Sequence, residues 1–465
     1  MNPGLSDQRD PVKKRAAGTS AAASDSSQLL AGLTAQLGKF IQPGQQLLLA
    51  YSGGLDSCVL LHLLVQLRSE LGFDLRAMHV HHGLSPNADD WVQFCEKTCA
   101  TLDVPLRIVR VDVAVDKGSG IEAAARHARY QALFEAEADF IVLAHHQDDQ
   151  AETLLLQLLR GAGVKGLAAM AAMDRQRRLL RPLLDISRGE LLQYATARDL
   201  DWIEDESNLD RRYDRNYLRH EVLPLIEARF KSAKKVLART AGHMAESAVL
   251  LDDLAQIDAA CTGLSASEIR QRLPLDCLRK LALPRARNLL RWWLSLNQLE
   301  MPSAARLADM LNQLLCARED AAISIKLSAD AQLKRYRGAV YIDFRCSNAP
   351  FSLLWSGQPQ LELPDGSFLT FEKRMGAGLA CARLGVEKLR IASRDGGERF
   401  KPDASRPTRT LKHLLQEANI PPWERQRLPL VYLDDELAMV PGIGVAANLQ
   451  SEPNEAGLLI EWHRE

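Results

Sequence analysis

The densest cluster of chemistry-bearing residues is Ser52-Gly53-Gly54-Leu55-Asp56-Ser57, which follows an apolar run, Leu47-Leu48-Leu49-Ala50-Tyr51. Adjacent glycines let a backbone approach an anion closely and enter positive φ. A helix that begins there turns its free amides and the positive end of its dipole onto the same anion. Ser52 and Ser57 add hydroxyl donors. Asp56 would repel a bare phosphate, but it fits a Mg²⁺ ion bridging carboxylate and phosphate oxygens. Neither the G-x-x-x-x-G-K-[ST] nor the G-x-G-x-x-G spacing is present, so the cradle is of another kind. A lone Gly-Gly would be a structural turn; the whole string after a strand points to nucleotide phosphates held by Ser52, Gly53, Gly54, Leu55, Asp56 and Ser57.

A second cluster is Ala144-His145-His146-Gln147-Asp148-Asp149-Gln150-Ala151-Glu152-Thr153. Asp148 and Glu152 are four apart, and Asp149 and Glu152 three apart, so a helix brings the carboxylates onto a common side. Asp148 or Asp149 could equally cap that helix. Three acids beside a phosphate loop need a cation, either Mg²⁺ or the ammonium of a substrate. An amine nucleophile would have to lose a proton first, aided by a carboxylate or by desolvation. His79 and His81, in His79-Val80-His81-His82-Gly83-Leu84-Ser85, share one strand face. A metal site would need further ligands there, and contact with nucleotide or backbone fits better. In Glu122–Tyr130, Arg126 and Arg129 are three apart. Arg126 suits a phosphate through its bidentate fork, against a solvated surface helix as the alternative. Cys95 and Cys99 stand one helical turn apart without the other ligands a zinc site requires, which favours packed thiols.

These groups must be positioned by an alternation of short apolar runs and longer amphipathic ones. Candidate strands are Leu47–Tyr51, Arg76–His82, Arg107–Val113, Phe140–His145 and Leu179–Leu184; candidate helices are the stretch to Leu71, Asp89–Leu102, Ile121–Ala138, Asp148–Arg160 and Arg188–Leu200. Such alternation implies βαβ units and a parallel sheet. Ligands then bind beyond the carboxyl ends of the strands, where both clusters fall. The text beyond Pro224 turns helical, becomes strand-like over Arg318–Cys346 and rich in turns over Phe351–Gly376. The expected organisation is an extension over 1–28 too polar to order, an α/β domain over 29–220, a mainly helical domain over 221–345, a linker or β-rich boundary over 346–385 and a small α+β C-terminal domain over 386–465.

The 465 residues carry 58 Lys+Arg against 59 Asp+Glu, which excludes a uniformly basic coat for nucleic acid but not local basic surfaces. No run of eighteen apolar residues exists, so no transmembrane helix is expected. The first residues lack the apolar core of a secretory signal. Scattered cysteines point to a reducing cytoplasm.

The string SGGLDS resembles the PP-loop of ATP pyrophosphatases. Together with HVHHGLS, EAAARHARY, AHHQDDQAET, RPLL (Arg181–Leu184), EDESN (Glu204–Asn208) and RRYDRNYLR (Arg211–Arg219), it resembles the tRNA(Ile)-lysidine synthetases from about Gln45 to Arg219. The tail from Leu389 is similar to the small C-terminal domain of the longer members. The resemblance implies ATP and Mg²⁺ as cofactors. It implies L-lysine and the CAU-anticodon isoleucine tRNA as partners, with no membrane; a homodimer stays open. ATP would adenylate C2 of the wobble cytidine, and the ε-amine of lysine would then displace AMP. Asp56 would hold Mg²⁺. Asp148, Asp149 and Glu152 would bind the amine or a metal, with a base among them, and Arg126 would contact phosphate or cytidine. His79 and His81 would lie at the nucleotide.

RNA contacts are expected at Arg211, Arg212, Arg215 and Arg219, which interleave with Tyr213. They are also expected in the basic runs containing Lys234 and Lys235, and at Arg399 and Arg409 in the tail. An interdomain hinge with salt bridges is the alternative for the first group. Two other activities are open: tRNA thiolation through the same adenylation, and tRNA binding without catalysis.

Overall fold

The computed structural model describes residues 21–113, 121–318, 323–344, 349–384 and 389–463. The chain forms two compact units, Met1–Leu250 and Leu251–Glu465.

The first unit begins with α1 (Ala21–Leu37), followed by β1 (Gln46–Ala50), α2 (Leu55–Leu71), β2 (Asp74–His81), α3 (Ala88–Thr101), β3 (Leu106–Arg110) and α4 (Ile121–Phe134). It continues with β4 (Phe140–Val142), α5 (Gln147–Leu159), α6 (Val164–Leu167), β5 (Met173–Asp174), β6 (Leu179–Leu180) and α7 (Arg188–Ala197). Helix α1 starts inside the extension expected to be disordered. The Ala21–Ala23 run favours helix, and Leu33 and Leu37 bury completely against the core. Residues 1–20 of that extension lie outside the described residues.

The sheet order is β3-β2-β1-β4-β6-β5. All pairings are parallel except β5 with β6, an antiparallel edge that sequence periodicity did not announce. The chain winds outward from β1 through β3 and returns on the other side at β4. The crevice at the switch point thus opens beyond β1 and β4. Leu47, Leu48 and Leu49 of β1 are buried on both faces, as a central parallel strand demands. Helix α2 is apolar nearly all round (Leu60, Leu61, Leu63, Leu64 and Leu67 are fully buried) and anchors the loop before it to the core. It ends at Gly72, whose φ of 70° carries the turn into β2. The strands end earlier than the apolar runs predict, because their last residues peel away into the crevice loops.

After α7 the chain passes through a 3₁₀ turn (Glu206–Leu209), α8 (Asp214–Tyr217), a π-helical segment (Leu218–Val222), α9 (Leu223–Arg229) and the long α10 (Ala233–Ala260). In the second unit, helices Leu283–Leu296 and Ala304–Cys316 enclose Trp293, whose Nε1 donates to the Ile269 carbonyl at 2.6 Å. Beside them lies an antiparallel sheet of Arg272–Pro274, Ala339–Phe344, Ala331–Tyr336 and Ser324–Lys326. The C-terminal part carries a two-stranded ribbon, Arg399–Phe400 with Arg409–Thr410, and packs a five-stranded and a four-stranded antiparallel sheet around one core. The turn-rich stretch supplies strands to both: Ser352–Leu354 pairs with Leu389–Ala392, and Phe368–Met375 pairs with Ala456–His463.

Candidate active site

The loop leaving β1 is shaped by its own side chains. Ser57 Oγ donates to the Gly54 carbonyl at 2.9 Å, the Gly54 amide donates to Ser52 Oγ at 3.3 Å, and the two hydroxyls lie 3.1 Å apart. Gly53 has φ 80°, and a Cβ there would stand 2.5 Å from Ile203 Cδ1 and 3.0 Å from Cys95 Sγ. Glycine is therefore required both by conformation and by space. The Gly53 carbonyl accepts from the Ile203 amide at 2.9 Å and from Cys58 Sγ at 3.1 Å. Gly54 pairs with Ile203 as a parallel bridge, so a distant strand-like segment closes the loop from outside. The Leu55 side chain is buried in the core, which leaves only its backbone for a ligand.

Asp56 stands in the first turn of α2. Its Oδ2 lies 3.5 Å from His146 Nε2, while its Oδ1 is buried and has no hydrogen-bond partner. An orphaned carboxylate oxygen beside a phosphate-type loop fits a Mg²⁺ ion completed by phosphate oxygens. Among the described residues no group of three or more His, Cys, Asp or Glu could hold a metal by itself.

His146 caps α5. Its ring Nδ1 accepts from the Asp149 amide at 3.4 Å, and its own amide donates to Asp149 Oδ2 at 3.0 Å. Burial opposes its protonation, but the hydrogen bond to Asp56 and the charge of Asp149 raise its pKa above the ordinary value. Its neighbour His145 behaves oppositely. Burial, reinforced by Arg181, Arg215 and Arg126, pushes it down to about 3, and its Nδ1 has no partner. The sequence named both histidines without giving either a role; their position between strand and helix was the signal.

The acids of α5 find their cations within the chain. Arg215 donates to Glu152 Oε2 and Asp149 Oδ1, both at 2.7 Å, and Arg219 donates to Glu152 Oε1 at 2.6 Å and Asp149 Oδ1 at 3.1 Å. Glu152 and Asp149 are buried. Burial opposes ionisation of Asp149, yet His146 and Arg215 hold it at about 2. Asp148 accepts the Arg188 amide at 3.1 Å and pairs with Lys234 at 2.9 Å; Lys234 also meets Glu227 at 3.2 Å. The cation demanded by three acids is thus supplied by residues expected on RNA: Arg215, Arg219 and Lys234. Sequence spacing could not foresee this pairing, because the partners lie over sixty residues away.

Other expected residues lie as follows. Arg126 donates to the Tyr130 hydroxyl at 3.3 Å, its guanidinium 5.0 Å from the ring. His79 is buried and bonds the Tyr51 carbonyl at 3.0 Å. His81 sits 3.4 Å from Asp89 and 3.3 Å from Arg110. Arg211 pairs with Glu221 at 2.5 Å and Arg212 with Asp210 at 2.6 Å. Lys235 is exposed. In the second unit Arg409 pairs with Glu417 at 2.6 Å, and Arg399 lies 3.5 Å from the Thr408 carbonyl. Cys95 and Cys99 are buried and free, packed under the loop.

Three family models match the chain: a PP-loop domain over residues 27–226, a TilS substrate binding domain over 273–341 and a TilS substrate C-terminal domain over 389–462. The tRNA(Ile)-lysidine synthase of Nitrosomonas europaea is 42% identical over 91% of this chain and 93% of its own length. That of Aromatoleum aromaticum is 44% identical over 91% of this chain and 99% of its own. That of Azoarcus sp. is 43% identical over 91% and 92%.

Proposed function

The chain belongs to the tRNA(Ile)-lysidine synthases, ligases that use ATP to form a carbon–nitrogen bond on tRNA, and from that premise we propose its substrates and the work of its residues. The amine substrate is L-lysine, and the RNA is the isoleucine tRNA with a CAU anticodon. The C2 oxygen of the wobble cytidine attacks the α-phosphorus of ATP and pyrophosphate leaves. The ε-nitrogen of lysine then bonds C2, the C2–oxygen bond breaks, AMP departs and the nitrogen gives up a proton.

The observation that carries this reading is the unpartnered Asp56 Oδ1 beside the Ser52–Ser57 loop, joined through His146 to the α5 acids. Ser52, Ser57 and the α2 amides cradle phosphates. Mg²⁺, when bound at Asp56, neutralises phosphate charge and polarises the leaving group. Arg215 and Arg219, held by Asp149 and Glu152, supply fixed positive charge close to Asp56. Asp149, held at about 2, is too weak a base to take the amine proton at neutral pH. Its task is to orient His146 and the guanidiniums. Lys234 on Asp148 marks a carboxylate that already accommodates a lysine ammonium.

Sulfur transfer gains little support. Burial pushes the Cys58 thiol up to about 12 and Cys99 to about 11, and Cys95 also upward, so none is a ready thiolate. No helix among the described residues is long and apolar enough to cross a membrane. A tRNA substrate and free thiols fit a reducing cytoplasm. The test is incubation with ATP, labelled lysine and separate tRNAs, followed by nucleoside analysis. Label is expected only in the CAU-anticodon isoleucine tRNA; its absence there overturns the reading. Asp56→Ala should abolish pyrophosphate release while tRNA still binds.

A further inference from the structure

At the elbow between α9 and α10, Phe230 is 65% exposed, and Leu225 five residues earlier on α9 is 76% exposed. Arg229, Lys231 and Lys235 flank it, all exposed. A single exposed apolar residue needs no explanation. A large exposed ring with a cation on either side of it in sequence and a third in the first turn of α10 does, because exposure is unfavourable for the ring. The elbow is also rigid. The Phe230 amide donates to the Ile226 carbonyl at 2.8 Å, and its carbonyl accepts from the Ala233 amide at 2.8 Å. The elbow is tied down as well, since Lys234 in the first turn of α10 pairs with Asp148 on α5 and with Glu227 on α9. It is thereby tethered to the helix that carries the acids of the candidate active site.

We propose that Phe230 is a stacking platform for an unpaired base of the RNA loop that carries the reacting cytidine, with Arg229, Lys231 and Lys235 on the flanking phosphates. An aromatic face among cations is what a single-stranded polyanion with planar bases recognises. A base held there fixes the position of its neighbour, so the platform sets where the loop enters the crevice. This rests on the function proposed above, and wild-type lysidine formation on the same tRNA checks that function separately.

The experiment compares Phe230→Ala, Phe230→Leu and Phe230→Trp in the full-length protein, on a tRNA carrying 2-aminopurine beside the wobble position. Wild type and Phe230→Trp should quench the probe. Phe230→Ala and Phe230→Leu should leave it bright and weaken tRNA binding roughly tenfold, with the salt dependence of binding unchanged. Lys231→Ala and Lys235→Ala should instead lower the salt slope by about one each, with quenching kept. Circular dichroism reports whether each variant folds. Unchanged affinity and quenching in a folded Phe230→Ala, while wild type makes lysidine, overturn the proposal. Equal loss in Phe230→Trp and Phe230→Leu also overturns it, because a generic packing role would then account for the site.

Discussion

Glu152 accepts three hydrogen bonds from two guanidiniums while itself only 1% exposed. Removing one member of such a buried pair leaves charge without a partner. Glu152→Ala should therefore destabilise the first unit by about 3 kcal/mol, read as a lowered denaturant midpoint. Adding Arg219→Met should recover part of that loss, because the stranded charge goes with it. His145 gives a second test. Its folded pKa of about 3 lies below the ordinary 6.5, so the unfolded chain takes up a proton that the folded one refuses. Stability then rests on the neutral ring: it is fully present above pH 6.5 and falls as pH drops toward 3, by about 1.4 kcal/mol per unit. His145→Gln should flatten the loss between pH 6.5 and about 5 by about 2 kcal/mol relative to wild type. Equal slopes in denaturant titrations of the two proteins would show that the ring is not held neutral.

At the level of elements, the phosphate loop is a joint between α2, β1 and the segment at Ile203. Gly53→Ala forces a Cβ into Ile203 and a side chain into positive φ, so ATP affinity and thermal stability should both fall. Ile203→Ala in that background should relieve the contact but not the backbone strain, and only part of the loss should return. The parallel sheet and its helices were legible because apolar alternation is local, and the loop was legible because its residue types are rare in combination. The clasp at Ile203 was not, since one isoleucine before a polar stretch carries no periodic signal. Neither was the pairing of the α8 and π-helical arginines with α5. Arg215 and Arg219 read either as RNA contacts or as salt-bridge partners in a hinge, and only tertiary packing names their carboxylates. The π-helical segment contributes to this by changing the rotation per residue after Tyr217.

For the molecule as a whole, each of the two units has cores of its own. Calorimetry should resolve more than one transition rather than a single two-state step. ATP should raise only the transition of the unit that holds Asp56, by about 2.7 kcal/mol at a hundred times its dissociation constant. A uniform shift of all transitions would mean that the units unfold together. Net neutrality hides charge that is partly spent internally: Arg285 is bonded to Asp258 and Lys334 to Asp343 in the second unit. Affinity for tRNA should thus fall with salt less steeply than a count of lysines and arginines implies.

The clasp on Gly53 has a consequence in time. Ile203 arrives some 150 residues after the glycine it holds, and Arg219 and Lys234 later still. At roughly 10 residues per second, a chain emerging from the ribosome carries its phosphate loop unfastened for about 15 s. Through that interval the Cys58 and Cys95 thiols flank a glycine that its clasp has not yet reached. Nucleotide competence is consequently acquired late in synthesis, and a nascent chain interrupted before Ile203 is a species for chaperones and oxidants rather than for ATP.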